Sequence, residues 1–197
     1  MSDASKQKKL PTRERLLKAA QDILAEAGLQ ALNSNAIVER AGVTPPTFYH
    51  YFENKHVVLR ELGTHMMDAQ NEVLKRDTGL TISTEAELRA ACLTSVRQSY
   101  RMTQNFRGGY ALLVSLRAIP ELIDVRLKSH EEMAQLLARY MVEQGLTDDF
   151  EGTLVRARLG IELRYAAIEM LFETGFRHED DVLNHTADAL TSVYGFF

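Results

Sequence analysis

Hydroxyl, amide and ammonium side chains are concentrated between Asn33 and Lys55, in the segment NSNAIVERAGVTPPTFYHYFENK. Ser34 and Asn35 stand at a predicted helix start, where free backbone N–H groups and short polar side chains suit a phosphate. Lys55 begins another predicted helix, where the helix dipole disfavours a cation by roughly 0.3–1 kcal/mol, and a bound phosphate would reverse that sign. These residue types indicate contact with a polyanion.

The segment between Asn33 and Lys55 also contains a cluster of aromatic residues. Phe48 and Phe52 are four residues apart and can face a core from one side of a short helix. Tyr49, His50 and Tyr51 stand beside them on a helix too short to bury all three. The two tyrosines are either half-buried packing residues or hydrogen-bond donors to a ligand, and His50 is either a solvated histidine or a contact to bases or phosphates.

Two short predicted helices surround a tight glycine turn in this segment. Asn33 or Ser34 can cap the first helix, which ends near residue 41, and Gly42 begins the turn. Thr44 precedes a proline and is therefore held in the extended geometry of an N-cap, while Pro45 fits the first helical turn without losing a hydrogen bond. This is a helix-turn-helix arrangement, which places its second helix in the major groove of DNA.

Helical periodicity dominates the rest of the chain, because apolar residues recur at spacings of three and four and no segment alternates strictly. Thr12 can cap the first helix and Gly28 can end it. Residues 77–84 are polar and are expected to form a loop. The sequence predicts about nine helices, near residues 13–27, 34–41, 45–52, 55–76, 85–104, 107–118, 120–144, 151–174 and 179–194.

Composition excludes several classes of protein. With 197 residues, 45% apolar and 25% charged, the chain can build a real core, and Cys92 is its only cysteine. No stretch approaches the roughly 18 uncharged apolar residues of a spanning helix, so a cytoplasmic location is expected. No catalytic motif, metal site or cofactor site stands out, so we expect no enzyme, no metal and no cofactor.

Charge is unevenly distributed along the chain. Residues 1–60 carry nine Lys and Arg against six Asp and Glu, whereas residues 61–197 carry fourteen against twenty-one. Such asymmetry favours a polyanion-facing N-terminal module on an acidic body. Lys6, Lys8 and Lys9 form either a solvated tail or a flexible basic arm alongside DNA.

Residues 12–62 resemble the DNA-binding domain of the Tet repressor family of bacterial transcription regulators. The resemblance rests on TRERLLKAA from Thr12, on AGL from Ala27 and above all on AGVTPPTFYHYFENK from Ala41. It implies an all-α homodimer in which a three-helix helix-turn-helix domain precedes a six-helix regulatory bundle. Two departures concern the DNA-facing surface: Pro46 replaces a common glycine, and Asn33-Ser34 replaces the usual Thr-Ser or Thr-Thr.

The resemblance also implies site residues and domain bounds. The expected domains are a flexible basic arm (1–11), a helix-turn-helix domain (12–56) and an effector-binding and dimerisation domain (57–197). Phosphate contacts are implied for some positions and contacts facing base edges for others. The implied phosphate contacts are Ser34, Thr47, Tyr49 and Lys55. The positions facing base edges are Asn35, Pro45, Pro46 and His50, with Thr44 at the start of the same surface.

An effector pocket is implied on the central helices, where aromatic and charged side chains alternate. Its predicted residues are Arg97, Tyr100, Phe106, Tyr110, Leu113, Arg117, Tyr165 and Glu169, with Arg101 and Arg164 nearby. Arg97, Arg101 and Arg117 suggest a carboxylate-bearing effector, because arginine binds such groups bidentately, or else they are solvated arginines on outer helix faces.

Apolar stripes on the last two helices favour a two-fold interface, although the same stripes can also be buried within one chain. The predicted stripe residues are Leu154, Ile161, Ile168 and Phe172, then Leu183, Ala187, Leu190 and Tyr194. The expected protein is a homodimeric regulator, most often a repressor, that binds a near-palindromic DNA operator and is released by a small-molecule effector. The alternatives are an effector-binding protein with a vestigial DNA module and a ligand-independent DNA binder.

Overall fold

The computed structural model describes residues 10–77, 81–175 and 177–195, and this part of the chain forms nine α-helices, one 3₁₀ turn (Pro120–Leu122) and no strand. The all-α prediction is confirmed. The helices are α1 (Thr12–Ala31), α2 (Ser34–Ala41), α3 (Pro45–Tyr51), α4 (Lys55–Asp77), α5 (Glu85–Asn105), α6 (Gly109–Ala118), α7 (Ile123–Glu143), α8 (Phe150–Glu173) and α9 (Glu179–Tyr194). The lysines of the predicted basic arm lie outside the described residues.

The ends of α1 differ from the prediction. Pro11 is its N-cap and Thr12 is already helical, so the predicted cap by Thr12 is wrong, and no side chain caps this end. Gly28 has φ of 72°, a left-handed value that glycine adopts without strain, and it interrupts the helix where the sequence placed a stop. The chain then resumes helical geometry as far as Ala31.

Contacts divide the described residues into two compact units, those up to residue 66 with 104–126 and those of 67–103 with the residues from 127 onward. The predicted boundary after residue 56 does not coincide with this division, because the first turns of α4 and all of α6 pack with the first three helices. Leu16, Ile37, Phe48 and Leu116 form the fully buried centre of the first unit. At Gly63 a Cβ atom would lie 2.7 Å from the Leu116 Cδ2 atom, so α4 and α6 meet at a glycine.

The second unit contains the rest of α4 and α5 together with α7, α8 and α9. Leu88, Cys92, Met141 and Tyr194 belong to its apolar core. Gly160 lets α8 approach Tyr194 closely, because a Cβ atom there would lie 2.6 Å from the tyrosine hydroxyl oxygen. The close contact of α8 with Tyr194 of α9 therefore depends on glycine at position 160.

A buried polar network crosses the same unit. Gln70 donates a 2.9 Å hydrogen bond to the Thr103 hydroxyl and accepts one from the Tyr165 hydroxyl. The His130 ring stacks on Tyr165 with centroids 4.6 Å apart, and its Nδ1 lies 3.2 Å from Glu162. Buried hydrogen bonds of this kind favour one arrangement of helices, because breaking them leaves polar groups without partners in the core.

The predicted dimer stripes are corrected by the structure. Six of their eight side chains are at most 3% exposed within a single chain, so they have no free surface for a second copy. These six are Ile161, Ile168, Leu183, Ala187, Leu190 and Tyr194. Burial within one chain, the alternative that the sequence left open, is the observed arrangement, and only Leu154 and Phe172 remain half-buried.

None of the helices in the described ranges is both long and apolar enough to cross a membrane. Over the same ranges, no cluster of three or more His, Cys, Asp or Glu side chains has the arrangement to hold a metal ion. Cys92 is a buried free thiol, and burial raises its pKa.

Candidate nucleic-acid interface

The turn between α2 and α3 is held by a residue of α1. Gly42 adopts a left-handed φ of 62°, and its N–H donates to the Glu39 carbonyl at 3.1 Å. The Arg15 guanidinium donates to the carbonyl oxygens of Ala41 and Gly42, at 2.6 and 3.1 Å. Because hydrogen bonds from a charged donor are strong, Arg15 fixes the angle at which α3 leaves the turn.

Two phenylalanines anchor α3 to the core of the first unit. Phe48 and Phe52 are 0% and 1% exposed, and their ring centroids are 6.0 Å apart. The Arg13 guanidinium lies 5.4 Å from the centroid of the Phe52 ring, within cation–π range, and pairs with the Glu61 carboxylate. These contacts bury one face of α3 and determine which residues face outward.

The outward face of α3 carries Tyr49 and His50. Tyr49 is 58% exposed, although its ring also packs edge-on against Phe48 with centroids 5.3 Å apart. His50 is exposed, and its ring meets Tyr51 edge-on at 4.9 Å. Neither polar tip is used by the core, so both side chains are presented to a partner.

The start of α3 is an exposed edge. Thr44 is its N-cap, with extended φ and ψ of −91° and 154°, and Pro45 and Pro46 follow it at the surface. The Thr44 hydroxyl makes no bond to the helix backbone and instead lies 2.8 Å from the hydroxyl of Thr47, which is half-buried. The predicted extended N-cap is confirmed, and the two hydroxyls form a polar pair beside the prolines.

The start of α2 forms a second polar edge of the first unit. Asn33, one of the two caps that the sequence allows, is the N-cap, and its Oδ1 accepts a 3.0 Å hydrogen bond from the Ala36 N–H. Ser34 is half-buried and Asn35 is exposed, both in the first turn of the helix. First-turn N–H groups lack intrahelical partners, so this end retains donors for a phosphate.

Lys55 is the predicted site residue whose surroundings differ most from the expectation. Its ammonium donates a 3.1 Å hydrogen bond to the Leu32 carbonyl, and the side chain is half-buried. An ammonium has three donors, so this bond leaves capacity for a phosphate. Lys55 therefore has a structural role that its sequence position did not reveal.

Ion pairs that the sequence analysis missed hold the surroundings of these helices. Arg107 pairs with Asp22 and, at 2.9 Å, with Glu26, while Arg40 of α2 reaches Glu26 at 2.8 Å. The two acids stand four residues apart on α1, a spacing that signals a cationic partner. That the partners come from α2 and from residue 107 becomes visible only in the fold.

Comparison with known proteins identifies this part of the chain. Residues 16–62 match the family model of bacterial regulatory proteins of the tetR family. The match covers the helix-turn-helix segment, which is about a quarter of the chain. The family resemblance is thus confirmed for the segment in which Gly42 and Phe48 organise the two short helices.

A similar stretch of sequence occurs in a helix-turn-helix transcription regulator. Over 59 residues the chain is 41% identical to the uncharacterized HTH-type transcriptional regulator YdgC of Bacillus subtilis, a match that covers 30% of each protein. The chain thus spans about a third of the length of the curated relatives that it matches.

Solved structures extend the similarity of fold over most of the chain. A candidate TetR-family regulator from Syntrophomonas wolfei has a TM-score of 0.74 at 11% identity, covering 93% of this chain and 94% of that one. RolR, solved in complex with resorcinol, has a TM-score of 0.65 at 20% identity, covering 98% and 90%. The whole described chain therefore has the fold seen in these regulators.

The predicted effector residues are not gathered around one cavity. The second unit contains a cavity of about 80 Å³, and none of the eight predicted residues lines it. Four of the eight, Phe106, Tyr110, Leu113 and Arg117, belong to the first unit. In the second unit, Arg97 pairs with Asp180 at 3.1 Å and Tyr100 donates to Glu179 at 3.0 Å. None of the predicted residues lines this cavity, and their role in effector binding stays a prediction.

Proposed function

We propose that the protein is a homodimeric, sequence-specific DNA-binding transcription regulator, a repressor that a small-molecule effector releases from its operator. The observation that carries the proposal is α3, which Phe48 and Phe52 fix to the core while Tyr49 and His50 stay exposed. A short anchored helix with outward polar tips suits the major groove, where base edges carry a distinct hydrogen-bond pattern.

A two-fold dimer would place two copies of α3 on two half-sites of a near-palindromic operator. Half-sites of such operators are separated by about one helical turn, roughly 34 Å, or by a multiple of it. The interface that we propose is the outer face of α8, where Val155 and Leu159 are 69% and 56% exposed. Ala166 and Met170 continue this exposed stripe at helical spacing.

Effector control is supported by the cavity of the second unit and by the resorcinol complex of RolR, a protein of the same fold. A ligand releases the operator only if it binds the DNA-incompetent form more tightly than the DNA-bound form. The proposed response is a population shift in which a tilt of α4 changes the separation of the two copies of α3.

The test of DNA binding is selection of fragments from the source genome by purified protein at a stated salt concentration, with excess nonspecific DNA as competitor. Enrichment of a short inverted repeat is expected. His50→Ala should change the preferred bases at one position of each half-site, and Tyr49→Phe should weaken binding to all fragments. His185→Ala is the matched control, because His185 is an exposed histidine on α9. Recovery of no preferred sequence by a folded dimer, with or without candidate effectors, would refute the regulator proposal.

The test of the dimer is the molar mass of Leu159→Glu by sedimentation equilibrium. A carboxylate in the centre of an apolar interface is desolvated without a partner, so this variant should be monomeric where the wild type is dimeric. Leu127→Glu is the matched control, since Leu127 is 43% exposed on α7 and lies outside the stripe. A dimer that Leu159→Glu leaves intact would show that the interface lies elsewhere.

A further inference from the structure

The cavity of the second unit has mainly apolar walls, contributed by α5, α7, α8, α9 and the segment before α5. Side chains on these walls include Ile82, Leu88, Met133, Leu137 and Met141. Its volume of about 80 Å³ is room for several water molecules, which is more than a single ordered water fills. Walls of this kind suit an apolar body of a few carbon atoms.

One charged side chain enters this apolar space. Arg164 of α8 lines the cavity and is only 4% exposed. Its Nε has no hydrogen-bond partner, and no carboxylate of the described residues forms an ion pair with its guanidinium. By contrast, the guanidinium groups of Arg40 and Arg97 pair with exposed carboxylates, those of Glu26 and Asp180.

The polar groups around Arg164 carry no compensating charge. Burial raises the pKa of Tyr194 to about 12, against the opposing charge of the Arg164 guanidinium and the hydrogen bond between the two side chains, so the tyrosine offers Arg164 a neutral partner and no negative charge. Burial likewise raises the pKa of the Cys92 thiol. Ser95 is 7% exposed, and its hydroxyl, which also lines the cavity, has no hydrogen-bond partner. The cavity thus presents one cation and an unused hydroxyl.

A guanidinium cannot lose its proton in a protein, so burial cannot neutralise it as it would a lysine. Leaving such a charge unpaired in a low-dielectric space is strongly unfavourable, and buried arginines are almost always paired. An anion that binds beside Arg164 would supply the missing partner. The walls require the remainder of that molecule to be apolar and small.

We propose that this cavity binds a small monocarboxylate with an apolar body, such as a short aliphatic chain or a single ring, whose carboxylate pairs with the Arg164 guanidinium. The Ser95 hydroxyl donates to the same carboxylate. The inference that this ligand is the effector rests on the proposed function. The inference that the cavity binds the ligand does not depend on it.

The test uses isothermal titration calorimetry of the full chain without DNA, with sodium benzoate and sodium hexanoate as probes. Benzyl alcohol and 1-hexanol are the matched neutral molecules. Both carboxylates should bind, and the alcohols should bind roughly 10- to 100-fold more weakly, because the charge-assisted pair is lost. Equal binding of acid and alcohol, or binding of neither carboxylate, would overturn the proposal.

Variants locate the binding. Arg164→Met should lower carboxylate affinity by roughly 10- to 100-fold, whereas Arg164→Lys, which keeps the charge but loses the planar fork, should fall between it and the wild type. Arg139→Met is the matched control, because Arg139 is exposed on α7.

If circular dichroism shows that Arg164→Met does not fold, Ala91→Leu replaces it as the decisive variant. Ala91 lines the cavity, so the larger side chain should weaken benzoate more than acetate. Unchanged affinity in the folded variant would overturn the proposal.

A DNA-binding assay separates this inference from the proposed function. Carboxylate binding that depends on Arg164, in a protein that selects no DNA, would support the cavity proposal and refute the regulator. Operator binding by a protein that binds no carboxylate would support the regulator and refute the cavity proposal. Operator release by benzoate in the wild type, but not in Arg164→Met, would support both.

Discussion

Replacing Lys55 by methionine separates two roles of one side chain, because methionine keeps the apolar stem and removes the charge. The substitution removes the 3.1 Å bond to the Leu32 carbonyl. Bonds from charged donors contribute about 1.5–3 kcal/mol, and the half-buried setting reduces this to about 1 kcal/mol of unfolding free energy. If each protomer also loses one phosphate contact, the slope of log K against log salt should fall by about 1.8 for the dimer.

The assay is fluorescence anisotropy of a labelled operator over a range of salt. Between about 50 and 200 mM salt, the affinity advantage of the wild type should shrink by about 12-fold, which follows from that change of slope. Lys128→Met is the matched control, because it makes the same charge change at a side chain that is 80% exposed on α7. Equal weakening of the Lys55→Met variant at every salt concentration would refute a phosphate contact and leave only the structural role.

Three further predictions concern the second unit. Gly160→Ala should lower the free energy of unfolding by about 1–3 kcal/mol, because the new methyl group meets the Tyr194 ring, and the double variant with Tyr194→Phe should recover part of the loss in urea denaturation. Burial raises the pKa values of Tyr165 and Tyr194 to about 12, so unfolded tyrosines ionise first and up to about 3 kcal/mol per residue is lost as the pH rises from about 10 to 12. A Tyr165→Phe variant with an unchanged pH dependence of its urea midpoint would contradict that assignment. Arg164→Met should raise the stability of the ligand-free protein by about 1–4 kcal/mol, and a lower melting temperature would show that the guanidinium is already well paired.

The helix-turn-helix was predictable because its signals are local. Asn33, Gly42 and Thr44 each act within a few residues of themselves, through caps and a left-handed turn, and the structure has all three where the sequence placed them. Phe48 and Phe52 follow from helical spacing alone. The role of Arg15 was hidden, because its partners are backbone carbonyls that no sequence pattern marks.

The second unit was less predictable because its signals are non-local. An apolar stripe identifies the buried face of a helix, but it does not show whether the helix packs against its own chain or against a second copy. For this reason Ile168 and Leu190 were predicted at a dimer interface, whereas both are buried within one chain. A buried arginine and a surface arginine look alike in sequence. Only the packing of α8 distinguished Arg164, which faces a cavity, from Arg97, which pairs with Asp180.

Pro45 and Pro46 give the exposed entry of α3 a specific chemical character. Neither residue has an amide hydrogen, so the first two positions of the helix can donate nothing to a base or a phosphate, whatever their distance from DNA. What they offer is hydrocarbon, and in the major groove the complementary feature is the C5-methyl group of thymine. The half-site is therefore expected to carry thymine opposite this edge, selected by apolar contact, while hydrogen-bond discrimination falls to side chains such as Asn35 and His50.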